Sequence, residues 1–157
     1  LGYSLIASTG KMKERGFLNT LGAIEIINRD EIKMESKKAL LKERWAGAVD
    51  TVGGSTLSNL LKSTKRGGAV ASTGLVDSPE LSTTVFPFIL RGVGLLGIDS
   101  SETNIDLRYK IWNMLANEWK FSQLNELRTN CTLEELSPEI DKILAGRQRG
   151  RIVVDML

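Results

Sequence analysis

A chain of 157 residues, 41% hydrophobic and 25% charged, has the length and balance of one globular domain with a sizeable core. Its formal net charge of +2 is too small to suggest a polyanion partner, and no basic block alternates with aromatics, so nucleic acid is not an expected ligand. The apolar runs are short and broken by glycine or charge, which excludes a membrane-spanning helix.

A single cysteine, Cys131, and no histidine rule out an internal disulfide, a Cys/His catalytic pair and a plausible zinc site. The lone thiol reads as incidental and fits a reducing, cytoplasmic setting.

Residues 3–7 (YSLIA) are a β-prone run that ends at Ser8-Thr9-Gly10-Lys11. A polar helical segment follows to Leu21, with Gly22 as its C-cap. Residues 25–28 (EIIN) form a second strand, left at Arg29-Asp30. The Lys-, Glu- and Leu-rich stretch up to Trp45 reads as a helix with a solvated face. A third strand spans Ala46 to Val49 and stops at Asp50-Thr51-Val52-Gly53-Gly54.

Ser55 is positioned to cap the next helix, which carries Leu57, Leu60 and Leu61 on one face. Lys65 and Arg66 suit its negative end, and Gly67-Gly68 terminate it. Ala69 to Ser72 form a fourth strand. A loop through Pro87, which disfavours a regular central strand, leads to a fifth strand from Val93 to Ile98.

From Asp106 to Trp119, apolar residues at Leu107, Ile111, Leu115 and Trp119 predict a buried helical stripe. Trp45, Trp112 and Trp119 are all expected in the core. Thr132 and Glu135 resemble a capping box. Ser137-Pro138 start a last helix that stops at Gly146, and Ile152 to Met156 form a final strand.

Alternating strands and helices of this kind predict an α/β fold, a doubly wound parallel sheet whose turns gather at the strands' carboxyl ends, where such sheets bind ligands. An opening strand with a glycine-rich phosphate turn is expected before this series. The chain instead begins within an element, so a partial domain lacking its first strand is expected. Residues 1–130 are assigned to the nucleotide-binding part, and residues 131–157 to a helix and strand returning toward another domain.

In dinucleotide-binding sheets, the residue after the second strand selects the cofactor: an acidic side chain there binds both ribose hydroxyls and repels a 2′-phosphate. Here that place is held by Ser8, Thr9, Gly10 and Lys11. Two hydroxyls, a flexible glycine and a cation suit a phosphate dianion, with Lys13 or Arg29 able to add charge. Taken alone, the tetrapeptide reads more simply as an ordinary strand-to-helix turn; at the end of a strand in a βαβ series, the phosphate site is the favoured reading. The glycines of residues 50–54 and 72–75 are equally consistent with close cofactor approach and with tight turns. Asp50 lacks a histidine partner and reads as a turn or capping aspartate, so no catalytic residue is assigned.

The segments LGYSLIASTGK, LGAIEIINRDE, RWAGAVDTVGG, GGAVASTGL, TTVFPFILRGVGLLGIDS and GRIVV, in order from Leu1 to about Val154, resemble one group. It is the zinc-independent quinone oxidoreductase branch of the medium-chain dehydrogenase/reductases, of the YhdH/YhfP type related to acryloyl-CoA reductases. The pairing of VFPFILRG with LLGIDS is its most discriminating element.

The resemblance implies a Rossmann-like domain of a two-domain enzyme that uses NADP(H) to reduce a quinone, an enone or an enoyl-CoA. It implies Ser8, Thr9 and Gly10 at the adenosine ribose phosphate, Lys11 adjacent, and Arg29 on the adenine side. Leu75, Ile89 and Ser100 fall along the nicotinamide half, with Arg147 near the cofactor from the tail. Most of the catalytic domain would lie outside this sequence. The resemblance also implies a homodimer through the edge strand Val93 to Ile98, whose unpaired backbone groups favour pairing. A non-catalytic nucleotide-binding or regulatory module is the other reading. A methyltransferase is disfavoured because Ser8 and Lys11 stand where it needs an acid.

Overall fold

The computed structural model describes residues 2–156 and divides into two compact units, Gly2–Ile105 and the part from Asp106 onward. The first unit runs β1 (Leu5–Thr9), a 3₁₀ turn and α1 (Arg15–Thr20), β2 (Ala23–Asn28), α2 (Arg29–Lys33), β3 (Trp45–Asp50), α3 (Gly54–Ser63), β4 (Thr64–Ser72), α4 (Phe86–Arg91) and β5 (Gly94–Gly97). All its strand pairings are parallel. β1 pairs with β2 through Ile6↔Glu25 to Thr9↔Asn28. β3, β4 and β5 form a second ladder, from Gly47↔Ala69↔Gly94 to Asp50↔Ser72↔Gly97. Among the described residues the two ladders stay separate. The expected parallel α/β architecture is what forms.

The two ladders nevertheless share one core. α3 carries Leu57, Leu60 and Leu61 at i, i+3 and i+4, so these side chains fall on one face and pack with Val70 of β4, Val93, Ile27 of β2 and Ile32 of α2. Leu61 and Val70 are completely buried, each gaining about 1.5–3 kcal/mol from leaving water.

Four local expectations are corrected. The helix expected up to Trp45 is only α2, and residues 34–44 are irregular. Tertiary partners override helix propensity there: Asn59 Nδ2 donates to the Ile32 and Met34 carbonyls at 2.6 and 2.7 Å, and the Leu41 and Arg44 N–H groups donate to the Lys62 and Ser63 carbonyls at 2.9 Å.

Ser55 does not cap α3. Gly53 is the N-cap with no side-chain bond, while Ser55 Oγ donates to the Lys33 carbonyl. Nor does α3 reach Gly67-Gly68. It stops at Ser63, where Thr64 turns extended and its Oγ1 donates to the Leu60 carbonyl at 2.7 Å, so Lys65 and Arg66 fall in β4. Finally, the loop expected around Pro87 contains α4. Pro87 sits in the helix's first turn, where its missing N–H costs nothing, and Gly92 ends the helix in the left-handed region with φ 61°.

The second unit holds all but the first residue of α5 (Ile105–Ala116), a 3₁₀ turn, β6 (Arg128–Thr132), α6 (Leu136–Leu144) and β7 (Arg151–Asp155), with β6 and β7 parallel. β6 falls in a stretch read as helical tail. The stripe expected to be buried is not: Leu107, Ile111, Leu115 and Trp119 are exposed, as is Trp112. Cys131 is the one buried residue among those described in this unit. The expected capping box is half formed, with the Thr132 N–H donating to Glu135 Oε2 at 3.0 Å.

Candidate functional site

The carboxyl ends of β1 and β2 bring one expected cluster together. Register sets Ser8 beside Ile27 and Thr9 beside Asn28. Asn28 caps α2 in a full capping box with Glu31, which fixes the direction in which the chain leaves β2. Arg29, the first residue of α2, then folds back over β1. Its guanidinium lies so close to Gly10 that a Cβ built there would stand 2.5 Å from Nε. The bare Gly10 backbone lets the cation rest close on this turn. On the other side, the Lys11 N–H donates to Thr9 Oγ1 at 2.9 Å and tightens the turn. Ser8, Thr9, Gly10, Lys11 and Arg29 thus form one hydroxyl-rich, cationic strand end, a chemistry suited to a phosphate dianion.

The second cluster lies where β3, β4 and β5 end. A cavity of about 610 Å³ is lined there by Gly53, Ser72 to Leu75, Ser78 and Gly97 to Asp99, among others. Its rim is made by two interlocked turns. The Asp77 N–H donates to the Val52 carbonyl at 2.9 Å, Lys33 pairs with Asp77 at 2.7 Å, and Asp50 Oδ2 accepts the Gly53 N–H at 2.9 Å. Asp50 is buried, and its Oδ1 has no hydrogen-bond partner.

Two glycines of the rim serve the interlock. Gly53 adopts φ +77°, and a Cβ there would meet the Ser78 carbonyl oxygen at 2.1 Å; at Gly74 it would meet that of Thr51 at 2.5 Å. Chain packing alone accounts for both.

Of the residues expected along the nicotinamide half, Leu75 lines this cavity, and Ser100 follows Asp99 at its edge. Ile89 lies on α4, largely exposed and outside the lining. Arg147 belongs to the second unit, where its N–H donates to the Lys142 carbonyl at 2.8 Å.

Sequence reasoning placed Asp99 at the end of the fifth strand without a role for its side chain, and missed Arg91. Asp99 Oδ1 accepts the Glu102 N–H at 3.1 Å, the Ser101 hydroxyl at 2.8 Å and the Ser101 N–H at 3.1 Å. These donors, the Glu102 N–H first, hold its carboxyl below the usual aspartate range. The lowered value makes the turn's contribution complete above about pH 4 and lost as pH falls through the folded value. The Ser101 and Glu102 amides should therefore exchange faster with solvent in that acid range. An Asp99→Asn protein should show no such step, and exchange that ignores the Asp99 titration would contradict the assignment. An Asp-Ser-Ser-Glu run is a sequence signal for such a turn.

Cys131 is inert by environment. Burial first, then the nearby carboxylates of Glu139, Glu135 and Asp155, push its thiol up. Among the described residues no three His, Cys, Asp or Glu groups converge on a metal position, and no helix is long and apolar enough to cross a membrane.

A parallel α/β unit with a cationic hydroxyl cluster at one strand end and a glycine-rimmed cavity at the others has the architecture of a nucleotide-binding domain. The family model described as zinc-binding dehydrogenase matches residues 1–117, and the chain belongs to that family.

The chain is 42% identical over 156 residues to "Putative quinone oxidoreductase YhfP" of Bacillus subtilis, covering 99% of this chain and 47% of the relative. To "Acrylyl-CoA reductase AcuI" of Ruegeria pomeroyi it is 41% identical, again over 99% and 47% of the two chains. Among solved structures, Bacillus subtilis yhfP with NAD bound superposes with a TM-score of 0.93 at 42% identity, over 99% of this chain and 47% of that one. The yhdH oxidoreductase from Salmonella enterica in complex with NADP gives 0.92 at 39%, over 100% and 48%. The chain spans about half the length of the curated relatives it matches. Zinc is in the family's description, yet a chain with no histidine and one buried cysteine does not fit a zinc centre.

Proposed function

We propose that this chain is the cofactor-binding part of an NADPH-dependent, zinc-independent medium-chain reductase. Its acceptor is a quinone or the activated carbon–carbon double bond of an enone or enoyl-CoA. The observation that carries the reading is Arg29 resting on Gly10 beside Ser8, Thr9 and Lys11, which makes the end of β1 cationic where an NADH-selective sheet would be acidic. The names of the similar proteins, an acrylyl-CoA reductase and a quinone oxidoreductase, support the acceptor classes.

In this reading residues 1–130 hold the cofactor and residues 131–157 return toward a catalytic domain. Ser8, Thr9 and Lys11 take the 2′-phosphate, and Arg29 covers it from the adenine side. Leu75 and Ser100 border the nicotinamide half, while the assignments of Ile89 and Arg147 rest on the resemblance alone. The bound cofactor supplies the hydride; the chain supplies position and electrostatics. A cytoplasmic homodimer joined through β5 completes the proposal. Leu95 and Leu96 are exposed on that strand, and a clean monomer by sedimentation at high micromolar concentration would contradict the dimer.

The full-length protein should oxidise NADPH when given a quinone or an enoyl-CoA, and the 157-residue chain alone should not. Failure with every such acceptor would contradict the reductase reading, and turnover by the chain alone would contradict its being a part. A non-catalytic nucleotide-binding module would instead show binding without turnover in the full-length protein.

A further inference from the structure

Three glycines of the cavity at the ends of β3, β4 and β5 can be compared for what holds them there. Gly53 and Gly74 are required by the interlocked turns. Gly97 is not. Its φ lies outside the left-handed region, and a Cβ built on it meets nothing within 4 Å. It is the last residue of β5, in register with Ser72, and the ladder continues past it through the Ile98 N–H donating to the Ser72 carbonyl at 2.9 Å.

Glycine weakens a strand, and a β-branched residue would suit this extended, exposed position better. Neither backbone conformation nor packing within the chain explains its presence. What Gly97 does is leave open the space in front of it, and it lines the cavity. Along the row Asp50–Ser72–Gly97, side chains fill the first two places and the third is bare.

We propose that Gly97 is a steric specificity position: its bare backbone admits the flat nicotinamide headgroup against the ends of β4 and β5, and a branched side chain there shuts that group out. The inference rests on the cofactor reading above. It adds a residue outside the phosphate cluster that selects for the other end of the cofactor. Small encroachments on a formed pocket are worth about tenfold or more in binding.

The test is made in the full-length protein with Gly97→Val and two probes. NADPH carries both halves of the cofactor, while adenosine 2′,5′-bisphosphate carries the phosphate-bearing half alone. The variant should match or exceed the wild type in thermal midpoint, bind the bisphosphate as the wild type does, and bind NADPH about tenfold more weakly or worse. Gly97→Ala should fall between. NADPH affinity unchanged in Gly97→Val would overturn the inference, and so would an equal loss of both probes. Wild-type protein that binds neither probe overturns the cofactor reading and this inference together.

Discussion

Arg91→Ala is expected to lower stability by about 3 kcal/mol, because it removes charge-assisted hydrogen bonds to part-buried carbonyls. Arg91 stands at the end of α4 with only 13% of its side chain exposed. Nη1 donates to the Lys62 carbonyl and Nη2 to the Leu41 carbonyl, both at 2.7 Å, while Nε meets Glu43 Oε1 at 3.2 Å. One guanidinium therefore satisfies the carboxyl end of α3 and straps residues 34–44 against it. α3 and β3 in turn present the turn at residues 50–54, so the strap supports the cavity from behind.

For a chain of this size the loss corresponds to a fall of roughly 6–12 °C in thermal midpoint. Lysine offers a point charge without the planar fork, so Arg91→Lys should recover only part of it. Amide exchange should rise first at Leu41 and Arg44, whose N–H groups bond to α3. A midpoint unmoved by Arg91→Ala would mean that the strap is held by other contacts.

Loss of cofactor preference is the second large effect. The 2′-phosphate of NADPH carries close to two negative charges. Each charge-assisted hydrogen bond to it is worth about 1.5–3 kcal/mol, while NADH leaves those donors to water. Two such contacts give a preference of roughly 10²-fold or more. Lys11→Ala with Ser8→Asp removes a cation and a hydroxyl and adds a repelling carboxylate. In the full-length protein this double variant should lose the preference in kcat/KM for NADPH over NADH. A preference that survives would place the phosphate contacts away from the end of β1.

The order of β1 to β5, their parallel pairing and the cationic end of β1 were legible because each rests on local chemistry: β-prone runs, turn glycines and a missing acid; β6 was not. The irregular stretch of residues 34–44 was not. Its composition is helical, and only distant partners on α3 and α4 make it a strap. α4 was hidden by Pro87, which breaks a strand but is harmless in a helix's first turn. The stripe from Leu107 to Trp119 was rightly periodic yet is not buried, since periodicity marks an apolar face without saying what covers it. Sequence also left the glycines undecided. The structure separates Gly53 and Gly74, fixed by the carbonyls of Ser78 and Thr51, from Gly97, which faces open space.

Titration of the full-length protein with NADPH and with NADH, followed by calorimetry, tests whether the end of β1 binds the phosphate of NADP(H). One saturable site per chain is expected, with NADPH bound roughly 10²-fold more tightly than NADH. Equal affinity for the two cofactors, or no saturable NADPH binding, would contradict it.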